Sequence, residues 1–155
     1  MDIYSYIKRD HRKVAAMMDD VLTIRLANIR QNIFLKIKAE LMAHALAEEQ
    51  IFYAALLNGA PDTMGDPMGH AVHDHREITD ILDKLDNTPI ASELWIETFG
   101  ELKQAVTHHV NEEENVVFAK ARSILNPAQA RQMAKDMDDL KQQLLTDMEF
   151  DIPAL

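Results

Sequence analysis

The chain has 155 residues, a length that fits one domain with a sizeable buried core. It contains no cysteine, which excludes disulfides, thiolate zinc sites, iron–sulfur ligation and thiol catalysis within it. The formal net charge of −10 disfavours nonspecific binding to nucleic acids and anionic lipids. We therefore expect neither a nucleic-acid nor a membrane partner.

Helical periodicity dominates the chain, and strand patterns are almost absent. Asp2, Ser92 and Asn126-Pro127 have the residue types that begin helices. Residues 58–69 are rich in glycine and proline and are predicted to form one long loop. The pattern predicts an all-α fold with helices at about residues 3–25, 29–57, 70–86, 92–123 and 127–148.

These helices predict one domain over residues 1–155, an up-and-down bundle of four helices at about 3–123 followed by an additional C-terminal helix. The fifth helix is amphipathic, so it either packs across the bundle or offers a dimerisation surface. We expect a monomer or a homodimer. The start of the chain lacks a basic segment followed by an apolar run, and no stretch approaches the ~18 apolar residues of a membrane span. The protein is therefore expected in the cytoplasm.

One pattern occurs twice. Its first copy is Asp10-His11 followed by His44-x-x-x-Glu48-Glu49, and its second is Asp74-His75 followed by His109-x-x-x-Glu113-Glu114. The first histidines of the copies lie 64 residues apart and the second histidines 65. The apolar stripes of the second and fourth helices match at this offset, which indicates an internal duplication.

Each repeated histidine, and the first glutamate of each pair, falls on the apolar stripe of its helix, where a bundle forms its core. In the second helix the stripe runs from Phe34 through His44 and Glu48 to Ile51, and in the fourth it runs from Phe99 to Val116. At a rise of ~1.5 Å per residue the six polar residues share one layer about two turns thick. They are His11, His44, Glu48, His75, His109 and Glu113.

This layer predicts a dinuclear metal site. A histidine and a glutamate four residues apart point to one face of a helix. Neutral imidazole binds first-row transition metals, and a bridging carboxylate lets two ions share charge. Two ionised carboxylates in a bundle core cost several kcal/mol each without a partner, and metal removes that penalty. The prediction is two metal ions, each with two histidines, and two bridging glutamates.

Several other polar residues lie outside this layer. Glu49, Glu114 and His108 fall off the stripes and are expected in solvent, with a supporting contact to a ligand as the alternative. His70 and His73 are expected at the surface near the loop. Among the tyrosines, Tyr6 and Tyr53 lie close to a stripe and can edge the pocket, and Tyr4 can line the end of the bundle.

The doubled histidine and H-x-x-x-E pattern resembles the hemerythrin-like (HHE cation-binding) family over roughly residues 4–122. The resemblance implies a four-helix bundle around a non-haem di-iron centre with an oxo or hydroxo bridge. It separates the chain from ferritin-like bundles, which use Glu-x-x-His. The oxygen-carrying members have a further histidine on the third helix, whereas Ala71 and Thr79 flank His75 here. The four-His, two-Glu set is more similar to bacterial proteins that repair iron centres.

Three functions remain open at this stage. The centre can bind O2 or NO for sensing, buffering or stress response. Alternatively, it can reduce NO or peroxide, or supply iron for repair of iron–sulfur clusters. A third interpretation is a structural site filled by zinc or mixed metals. No side chain is assigned a catalytic role.

Overall fold

The computed structural model describes residues 1–149, so the predicted last residues of the domain, 150–155, lie outside the described part. Five helices follow one another with short connections. They are α1 (Ile3–Thr23), α2 (27–59), α3 (Pro61–Asp86), α4 (93–122) and α5 (Pro127–Glu149). The predicted all-α, up-and-down four-helix bundle with an additional C-terminal helix is confirmed. We call α1 and α2 the first half of the bundle, and α3 and α4 the second half.

Three helices begin at the side chains that the sequence indicated. The Asp2 carboxylate accepts a hydrogen bond from the Ser5 amide at 2.9 Å, and the Ser92 hydroxyl accepts one from the Trp95 amide at 3.2 Å. At the start of α5, Asn126 and Gln129 exchange two such bonds, of 2.8 and 2.9 Å. These bonds satisfy amides that have no partner inside their own helices.

The predicted loop at 58–69 is wrong, because α3 already begins at Pro61. Proline is compatible with the first helical position, where no amide bond is lost. Pro67 lies inside the helix at a cost of about 3 kcal/mol. Met64 and Met68, four residues apart, are both 1% exposed in the core, and each buried methionine contributes about 1.5–3 kcal/mol. Burial of this face offsets the poor local propensity.

Both α2 and α4 contain a wide π-helical turn next to the predicted ligands, at Glu49–Tyr53 and Glu113–Val117. A π turn adds a residue and changes which side chains face inward. The predicted stripe positions Ile51 and Val116 are therefore wrong as core residues, since Ile51 is half-buried and Val116 is exposed. Phe52 and Tyr53 of α2 are buried in their place, as are Val117 and Phe118 of α4.

The apolar core has two parts, separated along the bundle by the layer of histidines and glutamates. One part is built around aromatic residues near Tyr4, Phe52 and Phe118, and the other around Phe34 and Trp95. The fifth helix packs mainly against α1 and α2, with Met133 and Met137 in the first of these parts. In the described residues no helix has both the length and the apolar character needed to cross a membrane.

Candidate metal centre

The structure brings the six predicted ligands together between the two parts of the core. All four bundle helices contribute, with His11 from α1, His75 from α3 and one H-x-x-x-E pair from each of α2 and α4. We call these six residues the ligand layer. Their role as ligands remains a prediction.

Two overlapping groups can each surround one ion. His11, His44, Glu48 and Glu113 form the first group, in which one ligand atom from each residue lies within 4.8 Å of the others. Glu48, His75 and His109 form the second by the same measure. Glu48 belongs to both groups, because one of its oxygens is 3.3 Å from His44 Nε2 and the other is 3.1 Å from His75 Nε2. Glu48 is therefore placed to bridge.

Glu113 lies between the two groups in a similar way. One of its oxygens is 3.2 Å from His11 Nε2, and the other is 3.4 Å from His109 Nε2. Each glutamate thus contacts a histidine of its own helix and a histidine of the other half. The two carboxylates are arranged as the duplication predicts for a pair of bridging ligands.

The expectation that Glu49 and Glu114 are solvated is wrong, because each contacts a ligand-layer histidine. The Nδ1 atom of His11 is 2.8 Å from a carboxylate oxygen of Glu114, and that of His75 is 3.1 Å from an oxygen of Glu49. Both glutamates are half-buried. A carboxylate behind a ligating imidazole fixes the ring and raises its basicity. Glu49 and Glu114 therefore make the contact to a predicted ligand that the sequence left as the alternative.

The remaining two histidines are backed by aspartates to which the sequence analysis gave no role. His44 Nδ1 lies 2.9 Å from Asp10 Oδ2, whereas His109 Nδ1 lies 3.7 Å from Asp74 Oδ2. Both aspartates are buried. Their signal was present in the repeated Asp-His pairs, but each aspartate supports the histidine of the next helix rather than its own neighbour. Sequence spacing alone does not give that pairing.

The buried atoms that lack partners test whether this donor set fits metal. In the described part of the chain, four atoms of the first group are buried without a hydrogen-bond partner: His11 Nε2, His44 Nε2, Glu48 Oε2 and Glu113 Oε1. Buried polar atoms are nearly always satisfied, so four such atoms facing one another need an explanation. Two imidazoles and two carboxylates are a donor set that first-row transition metals accept, so the residues fit a metal ion.

Charges within the layer depend strongly on one another. Burial opposes the imidazolium form of His44, but Glu48 and Asp10 raise its pKa to about 10. Burial likewise opposes charge on His109, yet Glu113 and Glu48 hold its pKa well above the ordinary value. For Glu48, burial is outweighed by neighbouring histidines, which hold its pKa well below the ordinary range. Without metal, protons on the imidazoles therefore compensate the buried carboxylates.

Tyr53 lies between the two glutamates of the ligand layer. Its hydroxyl lies 2.8 Å from Glu48 Oε1 and within hydrogen-bond distance of Glu113, so its one proton serves either carboxylate, and its ring stacks on His75 at 5.5 Å between centroids. Burial and the two carboxylates hold the pKa of Tyr53 well above the ordinary value, so it keeps its proton. The π-helical turn turns this side chain inward. Position 118, its counterpart in the second half, is a phenylalanine.

The other candidate residues do not join the ligand layer. Tyr6 donates to Asp138 of α5, and Tyr4 packs edge-on against Phe118. His70 and His73 are exposed, as predicted.

A buried lysine from α5 extends the network in the first half. The Lys141 ammonium lies 2.9 Å from Asp10 Oδ1 and 2.8 Å from Glu40 Oε2, and its side chain is 3% exposed. Burial opposes the charge of Asp10, but the hydrogen bond from His44 and the ammonium together lower its pKa. The fifth helix is thus connected to the ligand layer through Lys141, Asp10 and His44.

A small, mainly apolar cavity adjoins the histidine side of the layer. Its volume of about 40 Å³ exceeds the ~10–15 Å³ that one water requires. All four ligand-layer histidines line it, with apolar side chains such as Val14, Ile78 and Val106 opposite. A molecule of two or three atoms can therefore reach the imidazole side of the centre, whereas Tyr53 is not among the lining residues.

Comparison with known proteins agrees with this fold. The model of the hemerythrin HHE cation-binding domain matches residues 2–121. A crystal structure of a hemerythrin HHE cation-binding domain-containing protein from Mycobacterium kansasii superposes with a TM-score of 0.86, covering 97% of this chain and 91% of that one at 19% identity. That likeness supports the fold.

One curated relative is named for an activity on DNA. A DNA nickase of Nostoc sp. (strain PCC 7120 / SAG 25.82 / UTEX 2576) is 25% identical over 146 residues. The match includes 93% of this chain but only 40% of the nickase. The chain therefore spans less than half the length of this relative.

Proposed function

Because the chain belongs to the hemerythrin HHE cation-binding domain family, we propose that its ligand layer holds two iron ions and that the centre binds O2 or NO. The observation that carries this proposal is the set of four buried, unpartnered atoms on His11, His44, Glu48 and Glu113. Two imidazoles and shared carboxylates suit iron, and the family resemblance supports an oxo- or hydroxo-bridged pair. Bound iron would supply reversible binding or reduction of small oxidants.

The protein's own residues define what reaches the centre. The cavity beside the histidines admits a diatomic molecule, and apolar side chains such as Val14 and Ile78 exclude charged solutes. Asp10, Glu49 and Glu114 hold three of the imidazoles from behind, so the Nε2 atoms of His44, His75 and His11 keep one orientation. These features favour a binding function in sensing, buffering or stress response.

Tyr53 favours the alternative, an enzyme that reduces NO or peroxide. Reduction of either molecule consumes protons, and the Tyr53 hydroxyl keeps a proton beside both glutamates. The hydroxyl lies on the glutamate side, away from the cavity, so delivery of this proton requires the carboxylates. We rank this function second for that reason. Iron supply for cluster repair would instead require release of the ions from a buried layer.

DNA cleavage is not carried over from the nickase. The net charge of −10 opposes approach to phosphates, and this chain corresponds to 40% of that relative. The ligand layer itself is buried between helices, where a DNA strand does not fit.

Stopped-flow absorption on the reduced, iron-loaded protein tests the proposal. We expect a spectral change on mixing with O2 or NO that reverses when the gas is removed. Val110→Phe, which narrows the cavity rim, should slow this change without altering metal content. Irreversible consumption of peroxide or NO, diminished by Tyr53→Phe, would favour the enzyme. An iron-loaded protein that responds to none of these molecules would contradict both functions.

A further inference from the structure

A second group of metal-binding side chains lies outside the ligand layer. His70 and Asp74 of α3 and His108 of α4 each bring one ligand atom to within 4.8 Å of the others. His70 and Asp74 are four residues apart on one face of α3, with Nε2 and Oδ2 separated by 3.9 Å. We call these three residues the outer cluster. Its two histidines are exposed, whereas its aspartate is buried.

Asp74 lacks a close partner of opposite charge. In residues 1–149 its nearest basic nitrogens are those of His109, at 3.7 Å, and His70, at 3.9 Å, both beyond hydrogen-bond length. Its side chain is 8% exposed. With no cation paired to it at hydrogen-bond distance, this carboxylate is free to accept a positive charge from the groove.

The first half shows what fills the corresponding position there. Asp10, the counterpart of Asp74 at the 64-residue offset, has the Lys141 ammonium at 2.9 Å. The counterpart of His70 is Tyr6, which donates to Asp138 of α5. The counterpart of His108 is Ala43, which is fully buried. The positions that a tyrosine and an alanine occupy in one half thus carry imidazoles in the other.

The second half also provides a route inward. A surface groove between α3 and α4 is lined by His70 and Asp74 and, deeper, by His109 and Glu113 of the ligand layer. The fifth helix packs mainly on the first half. Asp74 lies between the outer cluster and His109, within 4 Å of an imidazole of each.

His108 lines the neighbouring groove rather than this one, so the three side chains meet at its edge. We propose that His70, Asp74 and His108 bind a divalent first-row transition-metal ion there, on the carboxylate whose counterpart Asp10 pairs with Lys141, and that this outer ion is on the entry path to the ligand layer. Two imidazoles and one carboxylate leave coordination positions open to water, as suits a site that releases its ion. The entry role rests on the proposed function, whereas binding at the outer cluster does not.

Titration of the metal-free protein with Co2+ tests binding. Wild type should take up one equivalent of Co2+ more than the double variant His70→Ala/His108→Ala. In either single variant, the Co2+ ion at the outer cluster should bind at least about tenfold more weakly than in wild type. His73→Ala, which removes an exposed histidine of the same helix, should behave as wild type. Equal uptake by wild type and the double variant would overturn the proposal.

The two proposals can fail separately. If His44→Ala binds fewer equivalents of Co2+ than wild type and the double variant lacks a different equivalent, both the ligand layer and the outer cluster bind metal. If the double variant loses the single equivalent that wild type binds, the outer cluster stands and the dinuclear centre fails. If only the ligand-layer variants lose metal, the outer cluster is overturned.

The entry role has a kinetic test. The double variant should fill the ligand layer with Fe2+ at least about tenfold more slowly than wild type, as judged by the appearance of the final absorption spectrum. The final spectrum and the two irons of the ligand layer should be unchanged, which separates slow entry from damage to the centre. Loading at the wild-type rate would overturn the entry role.

Discussion

The two halves of the bundle carry the same ligand layer but differ in what surrounds it. In the first half, α5 covers the bundle, and Lys141 pairs with Asp10 behind His44. In the second half, the counterpart Asp74 lies 3.7 Å from His109 and faces an open groove. Only the first half places a tyrosine hydroxyl on the glutamates. The two halves thus differ in that α5 supports the first and an open groove borders the second.

The largest effect should come from removing a ligand from either half. His44→Ala and its counterpart His109→Ala should each lower metal content by at least one ion per chain, because each removes a donor from one of the two groups. Mass spectrometry of the purified, iron-supplemented protein measures this. His73→Ala is the matched control. Full metal content in both ligand variants would refute the site assignment.

The support by α5 should be visible in stability. Lys141→Met leaves Asp10 and Glu40 buried without their shared cation, which should lower the free energy of unfolding by about 3–5 kcal/mol. Lys135→Met removes an exposed lysine of the same helix and should change the free energy of unfolding by less than about 0.5 kcal/mol. Urea denaturation of both variants distinguishes these outcomes. Similar small losses would mean that Lys141 does not stabilise the first half.

The two aspartates should differ in their effect on metal affinity. Asp10→Asn should weaken binding by about 10–100-fold, because the bond to His44 is short and fixes the ring. Asp74→Asn should weaken binding at the ligand layer less, because its distance to His109 is 3.7 Å. Competition with a chelator measures both affinities. A larger loss of affinity in Asp74→Asn than in Asp10→Asn would mean that Asp74, rather than Asp10, gives the stronger support to a ligand-layer histidine.

Both halves should respond to pH in the same direction. The pKa values of His44 and His109 are raised in the metal-free protein, so their imidazoles are protonated at neutral pH and must lose protons to bind metal. Affinity should therefore rise with pH, by about tenfold per pH unit for each proton displaced, and fall in acid. Chelator competition at about pH 6 and about pH 8 tests this. Affinity that is constant across this range would contradict the charge balance described for the layer.

The smallest effect should come from the tyrosine that distinguishes the halves. Tyr53→Phe removes a hydroxyl bonded to two buried carboxylates and should lower the free energy of unfolding of the metal-free protein by about 1–3 kcal/mol. The iron spectrum should shift because the glutamates lose a donor. Tyr6→Phe, which loses a bond to Asp138, should leave the spectrum unchanged. An unshifted spectrum in Tyr53→Phe would mean that this hydroxyl does not influence the metal centre.

Periodicity was sufficient to predict the bundle and the convergence of the ligand layer, because a stripe on a regular helix fixes which side chains face inward. It failed where the helix is irregular. The π-helical turns shift the core from Ile51 to Phe52 and Tyr53, and Pro61 begins a helix within a segment that local composition assigned to a loop. Cross-helix pairs such as Asp10 with His44 depend on tertiary packing, so no single helix pattern contains them.

Metal content with an absorption spectrum, measured on one sample made in iron-supplemented medium, tests the central claim most directly. The account predicts two irons per chain in the ligand layer, with near-ultraviolet bands from an oxo or hydroxo bridge. Any further ion should be lost in His70→Ala/His108→Ala. No metal, or a single zinc, would contradict a dinuclear iron centre, and an absence of all metal would also leave the four buried, unpartnered atoms unexplained.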